Sequence, residues 1–514
     1  MDELDKNTEQ LNSGLKLLAK SSLVIFLFLF LSKALYYIYR LIIARWFGPE
    51  IYGLFSIALI ILSVFVALFS LGLDQGLLRF IPLYDVKNKQ KEIRDLFGFS
   101  VKLTFFLSLS AAIILFFSST FISINIFHNE DLIIFLKIFS LVIPVYLFSN
   151  LFLSILRAYE KVIWYSFILN VLQNILKVIA IVLLFFIGFN SNAIILSYFL
   201  GILGMFLLSF YLIRFYFKDI FKPSKLGKNE RIKIRKEFFS YSWPLMFSGI
   251  LSIVNWWTDS FMIGFFRNAV EVGFYNVAFP IVYLMGIVPE IFMQLFFPLI
   301  TKEFSKKNLF LVKQISQQVG KWIFVLNLPF LIIFFLFPGA IINLLFGSSY
   351  LAAENALRIL SVGFFLGTIT IPVTSNLLYI QGKSKLLLIN LIIIFLTNLI
   401  LNIFLVPKYG ISGAAFSTTL STILFGIILI FELNHYQSII PFRRKIFRII
   451  LVSLIPTVLL LILRKIIAIN SLSLILLGVF FGLTYILAML TTNCLDRNDF
   501  MIIKTVFKKL RKKT

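Results

Sequence analysis

The sequence is short of cysteine, histidine and acid. Its single cysteine, Cys494, excludes a disulfide within the chain, and with only two histidines there is no zinc cluster to build. Asp and Glu total 23 against 48 Lys and Arg, a net charge of +25, yet charged residues of all kinds make up only 14% of the chain. A soluble domain carries about a quarter, so a water-facing globular surface is excluded. No Asp-x-Asp motif occurs, and none of the expected outer loops is long enough to hold a sugar-handling catalytic site. What fills the chain is apolar: 60% hydrophobic residues, 62 of them Phe, with mean hydropathy +0.98. These numbers describe an all-α integral membrane protein.

A bilayer crossing takes ~20 apolar residues. About fourteen such spans are expected, beginning near Ser21, Leu54, Gly98, Leu132, Val162, Ala193, Tyr241, Gly273, Lys321, Ala356, Leu386, Ile411, Ile446 and Leu472. The first run, Ser21 to Ile43, is too long for a signal peptide and lacks a small-residue cleavage site, so it reads as a retained helix. Lys and Arg crowd into both tails and alternate loops, as in Lys87, Lys89, Lys91 and Arg94, while the other loops hold only Arg45, Arg267, Lys408, Arg464 and Lys465. That asymmetry predicts a multi-pass cell-membrane protein with both termini in the cytoplasm. The basic charge is therefore topological, with attraction to anionic membrane lipids and no call for nucleic acid.

The chain also repeats itself. Tyr52-Gly53-Leu54-Phe55-Ser56-Ile57-Ala58 lies over Val272-Gly273-Phe274-Tyr275-Asn276-Val277-Ala278, and at the same offset Asn170 falls on Asn390 and Ser197 on Ser417. Spans 1–6 thus resemble spans 7–12. Six is even, so the halves share an orientation, which predicts two parallel six-helix bundles around a central cavity plus two extra C-terminal helices. The expected divisions are a tail at 1–20, a first bundle at 21–214, a basic linker at 215–240, a second bundle at 241–433, helices 13–14 at 434–493 and a basic tail at 494–514.

Charges inside a bilayer cost ~3 kcal/mol each on insertion scales, so each needs a reason. Lys33 and Arg40 are two helical turns apart in the first span and share a face. In the fifth, Asn170, Gln173, Asn174 and Lys177 form one polar stripe. Interhelical hydrogen bonds and snorkelling ends explain some such residues. Lys33, Arg40 and Lys177 lie deeper and fit a water-filled cavity that grips an anion. Trp256 and Trp257 are open to two readings, stacking on sugar rings or membership of the interfacial aromatic belt. Asp74, Asp259 and Glu290 are the carboxylates placed within spans, and are candidates for coupling to H+ or Na+ or for gating. The repeat sets Asp259 opposite Tyr39, beside Arg40, and so predicts an Arg40–Asp259 ion pair that closes the outer mouth.

The junction Arg40-Leu41-Ile42-Ile43-Ala44-Arg45-Trp46-Phe47-Gly48-Pro49-Glu50-Ile51-Tyr52-Gly53 resembles the opening of Wzx-type polysaccharide-export flippases of the multidrug/oligosaccharidyl-lipid/polysaccharide superfamily. So do Leu71-Gly72-Leu73 with Arg79, Trp243-Pro244, and Asp259 with Ile263-Gly264. The resemblance covers the whole chain. It implies a carrier, not an enzyme and without a cofactor, that flips a polyprenyl-pyrophosphate-linked oligosaccharide outward by alternating access. A monomer working beside other polysaccharide-assembly enzymes is expected. A multidrug or cation antiporter of the same superfamily is the alternative, and a membrane polysaccharide polymerase or glycosyltransferase stands behind it. Peptidoglycan-precursor flippases carry an arginine in helix 8, where this chain offers Glu290.

Overall fold

The computed structural model describes residues 2–224, 226–437, 445–467, 470–492 and 494. Apart from Cys494, the basic tail expected at 494–514 lies outside the described residues. Among the described residues no strand occurs. The chain divides into two compact units, one through Gly273 and one from Phe274 onward.

The first unit contains α1 (Asp2–Ser70), α2 (Leu73–Asp85), α3 (Gln90–Phe121), α4 (Leu132–Ala158), α5 (Val162–Ser166), α6 (Gln173–Ile187), α7 (Asn192–Tyr216) and α8 (Lys228–Phe266), and ends just inside α9 (Ala269–Tyr283). The second holds the rest of α9, then α10 (Ile287–Ser305), α11 (Leu309–Leu336), α12 (Pro338–Leu345), α13 (Glu354–Ile380), α14 (Ser384–Gln437), α15 (Lys445–Ile466) and α16 (Ser471–Thr491). Among the described residues, eleven helical segments are long and apolar enough to cross a membrane. Two of them are each a pair of helices joined at a non-helical glycine, Gly48 in α1 and Gly410 in α14. Dividing these helices at their glycines separates the first from the second and the eleventh from the twelfth expected span.

Lipid gives helices no hydrophobic reason to associate, so small and hydroxyl residues must let backbones approach. The buried face of α3 is of this kind, with Ser100, Thr104, Ser108, Ala111 and Ala112, while Phe105, Phe106, Phe117 and Phe121 point outward. The Ser108 hydroxyl donates to the Phe105 carbonyl 3.1 Å away, so its burial leaves no orphaned donor. The closest approach in the unit joins the second arm of α1 to α9. A Cβ on Gly53 would strike the Ala269 carbonyl, and one on Gly273 would strike the carbonyl of Pro49.

The segment expected as a linker at 215–240 is ordered into structure. α8 starts at Lys228 and runs without interruption into the seventh expected span. Asp95, buried at the start of α3, accepts from Arg235 Nε at 2.8 Å and Nη2 at 2.7 Å, with Arg231 at 3.5 Å. This hydrogen bonding raises the Arg235 pKa above its usual value. Replacing Asp95 by Asn should lower stability by about 2 kcal/mol, below the range for fully buried pairs because both arginines are partly solvated. Melting of the purified protein in detergent measures this, and Arg235→Gln in the Asp95→Asn background should then cost little more.

In the second unit the polar residues of the eleventh expected span tie the two arms of α14 together. Asn402 Nδ2 donates to Asn398 Oδ1 at 3.0 Å, and Asn398 Nδ2 to Thr418 Oγ1 at 3.1 Å. Lys321, expected at the start of a span, is fully buried midway along α11, because that helix begins at Leu309. Deep cations are therefore not confined to the first half of the chain.

Candidate functional site in the first unit

α1 bends at Gly48 (φ 81°) and resumes with Pro49 in the first turn of its second arm, where a missing N–H costs nothing. The bend folds Tyr52 back onto the first arm. Arg40, 3% exposed, donates from Nη1 to the Tyr52 hydroxyl at 3.1 Å, and its guanidinium lies 4.7 Å from the centre of the Tyr36 ring. The Arg40 Nε is buried with no hydrogen-bond partner among the described residues.

Lys177 on α6 is 7% exposed. Its ammonium donates to Gln173 Oε1 at 3.2 Å and sits 4.3 Å from the centre of the Tyr198 ring. Tyr198, on α7, is within electrostatic reach of Arg40, Tyr36, Tyr39 and Tyr146, so it links the two cations. Tyr39 fixes α1 against α7 through hydrogen bonds to the Ile194 carbonyl at 3.1 Å and Ser197 Oγ at 3.0 Å. A π-helical turn, Phe167–Leu172, precedes α6 and belongs to the same wall. Such turns recur at functional sites.

The structure thus buries Arg40 and Lys177 separately, each against tyrosine, with Asn170 and Asn174 in a bracing role on the helix of Lys177. Asn174 Nδ2 donates to Ser32 Oγ on α1 at 3.2 Å, and Asn170 Nδ2 to Ser166 Oγ at 3.1 Å. Lys33 is half-buried, two turns before Arg40. Trp256 is exposed and Trp257 half-buried on α8, where Asp259 is buried. The expected Arg40–Asp259 ion pair is not formed. Among the described residues Arg40 has tyrosine partners and no carboxylate, because the bend at Gly48 delivers Tyr52 to the guanidinium.

Two buried cations without carboxylate partners would each carry a large desolvation cost. Cation–π contacts with desolvated rings repay ~2 kcal/mol apiece, which leaves the charge itself unneutralised. Such a setting favours a neighbouring anion. The sequence reading missed the tyrosines that complete it. The run Tyr36-Tyr37-Ile38-Tyr39-Arg40 was visible, but Tyr146 and Tyr198 come from distant spans.

The second unit offers a different surface. A cavity of about 390 Å³ is lined by Glu290 among largely apolar residues, including Tyr283, Phe364 and Pro372, where a short 3-10 turn, Leu284–Gly286, interrupts the helix between Pro280 and Pro289. Glu432 was not counted among the intramembrane carboxylates. It lies in α14 and accepts twice from Asn390 Nδ2, at 2.9 and 2.7 Å.

Many helices long and apolar enough to cross a membrane, with buried cations among them, define a multi-pass membrane protein. The chain matches the polysaccharide biosynthesis protein family over residues 18–304 and belongs to it. It is 24% identical over 394 residues to a candidate O-antigen transporter of Shigella flexneri, covering 75% of this chain and 90% of that one. It is 28% identical to an uncharacterized membrane protein of Methanocaldococcus jannaschii, covering 83% and 86%. Its fold is similar to that of the lipid II flippase MurJ in an inward closed conformation, with a TM-score of 0.71 at 21% identity over 91% of this chain and 98% of that one.

Proposed function

We propose that this protein flips a polyprenyl-pyrophosphate-linked oligosaccharide from the inner to the outer leaflet by alternating access. The observation that carries the reading is that Arg40 and Lys177 are each buried against tyrosine rings in the first unit, with no carboxylate partner among the described residues. A pyrophosphate diester presents two negative charges on adjacent groups, which suits one fork-shaped and one point-like cation. The tyrosine rings can stack on the first sugar. Family membership and the O-antigen relative support glycan export as the pathway. In this reading the basic ends face the cytoplasm, anionic lipids hold them there, and the monomer receives its substrate from membrane-bound assembly enzymes. Coupling to an H+ or Na+ gradient drives the cycle.

The test is reconstitution. Vesicles holding the purified protein and a fluorescent prenyl-pyrophosphate trisaccharide are treated with an impermeant quencher. Quenching should pass the half expected for a static outer leaflet and approach completion. A monophosphate-linked analogue should move at least tenfold more slowly, as expected if one charged contact of ~1.4 kcal/mol or more is lost. Quenching that stops at half for both lipids, with correctly folded protein, refutes the reading.

A further inference from the structure

α1 ends at Ser70, where its membrane-crossing stretch also ends, and α2 starts at Leu73, so the chain breaks at the end of the second expected span. Both connecting residues are left-handed, Leu71 at φ 45° and Gly72 at φ 64°. Glycine adopts that region freely, but leucine does so only under strain, and strained backbone concentrates where a site demands it. A break of this kind leaves the last carbonyls of the preceding helix without their usual donors.

A cavity of about 250 Å³ opens against this break. Ser70 lines it from the end of α1, Asp74 from α2, Thr104 from α3, and Tyr146 and Asn150 from α4. α8 contributes only Gly249 and Ile253. No lysine or arginine lines the cavity, and its titratable groups are Asp74 and Tyr146. The Asp74 carboxylate accepts from Gln75 Nε2 at 3.2 Å, and no cation pairs with it among the described residues. Tyr146 and Asn150 are neighbours one helical turn apart on α4, both facing the cavity. Thr104 is only 4% exposed, lines the cavity, and makes no side-chain hydrogen bond among the described residues.

We propose that the break between α1 and α2 forms a binding site for one sodium-sized alkali cation, held by Asp74, the Thr104 hydroxyl and oxygens of the Tyr146–Asn150 pair. The donors are hard oxygens, which suit alkali and alkaline-earth ions and not soft metals. A single carboxylate sets the charge. A calcium site draws on several carboxylates, and magnesium keeps most of its water, whereas one negative charge balances one monovalent ion. The negative end of the α1 dipole adds to the attraction. The site deepens the carrier reading by naming an ion and its place, and rests on that reading only for its use.

Binding is tested without transport. Purified protein in detergent is melted in rising NaCl, with choline chloride holding ionic strength constant. The melting temperature should rise with sodium and saturate, since a ligand of the folded state stabilises by mass action. Asp74→Asn should abolish the rise, and Thr104→Val should raise the half-saturating sodium concentration about tenfold, the effect of losing one ligand. Sodium-23 relaxation on Tyr146→Phe, which keeps the ring, gives a second readout that does not depend on stability. The site is refuted by an equal rise in choline, by an undiminished rise in Asp74→Asn, or by stabilisation from acid alone with none from sodium. Protein that binds sodium but flips no lipid keeps the site and defeats the flippase reading. Flipping without sodium binding does the reverse.

Discussion

Replacing Arg40 by Gln should lower glycan-lipid flipping 10- to 100-fold while leaving the melting temperature unchanged or higher. The first half follows from the loss of a charge-assisted contact to the substrate, about 1.5–3 kcal/mol. The second half follows from the empty protein. A guanidinium that is 3% exposed, with an unpartnered Nε and no carboxylate, is retained at a cost to folding. Removing it relieves that cost, although Tyr52 then loses a donor. Lys177→Met should behave alike, because its ammonium is held by a neutral amide and a ring face. Arg40→Lys keeps the charge without the two-pronged geometry and should recover only part of the rate. Flipping in vesicles and melting in detergent, measured on the same preparations, decide the matter. A variant that loses both activity and stability would show that these cations support the fold and that the pocket is not an anion site.

The second large effect concerns assembly. Gly53→Val should abolish recovery of folded protein from the membrane, because its side chain would occupy the position of the Ala269 carbonyl. Gly273→Val should do the same against Pro49, whose carbonyl lies directly above it. Overpacking in a core costs about 1–3 kcal/mol where side chains can shift, and more where the obstacle is backbone on both sides. Gly98→Ala is the control, since nothing lies within 4 Å of the added methyl. Size-exclusion profiles of fluorescently tagged variants report the outcome. Monodisperse Gly53→Val at wild-type yield would mean that the two segments separate without loss of fold.

How far the sequence could be read depends on the range of the interaction. Spans were legible because hydropathy is local. The pairing of Lys177 with Gln173 was legible because four residues is one helical turn. Arg40 was recognised as deep, yet its partner was assigned to Asp259 from the repeat, which carries no information about the bend at Gly48. Tyr198 was invisible for a different reason. A tyrosine in an apolar run looks like a lipid-facing aromatic until the fold sets it against Lys177. Leu71 and Gly72 were noted only as part of a resemblance, since the positive φ at Leu71 is set by the tertiary fold and leaves no mark in the sequence. Glu432 has no signal in the sequence that sets it apart, and its contact with Asn390, 42 residues away, gives its place.

The π-helical turn at Phe167–Leu172 has a consequence for the phase of its span. A π turn accommodates one more residue than an α turn, and one residue corresponds to about 100° of rotation in an α-helix. The side chains of Val162–Ser166 and those of Gln173–Ile187 therefore answer to separate rotational registers, although they share one axis. Trp164 can be oriented for its own surroundings without moving Lys177 from Tyr198. The turn absorbs a length difference that would otherwise rotate one arm or the other out of place. In this span, a change of one residue in chain length is mechanically confined to a single turn.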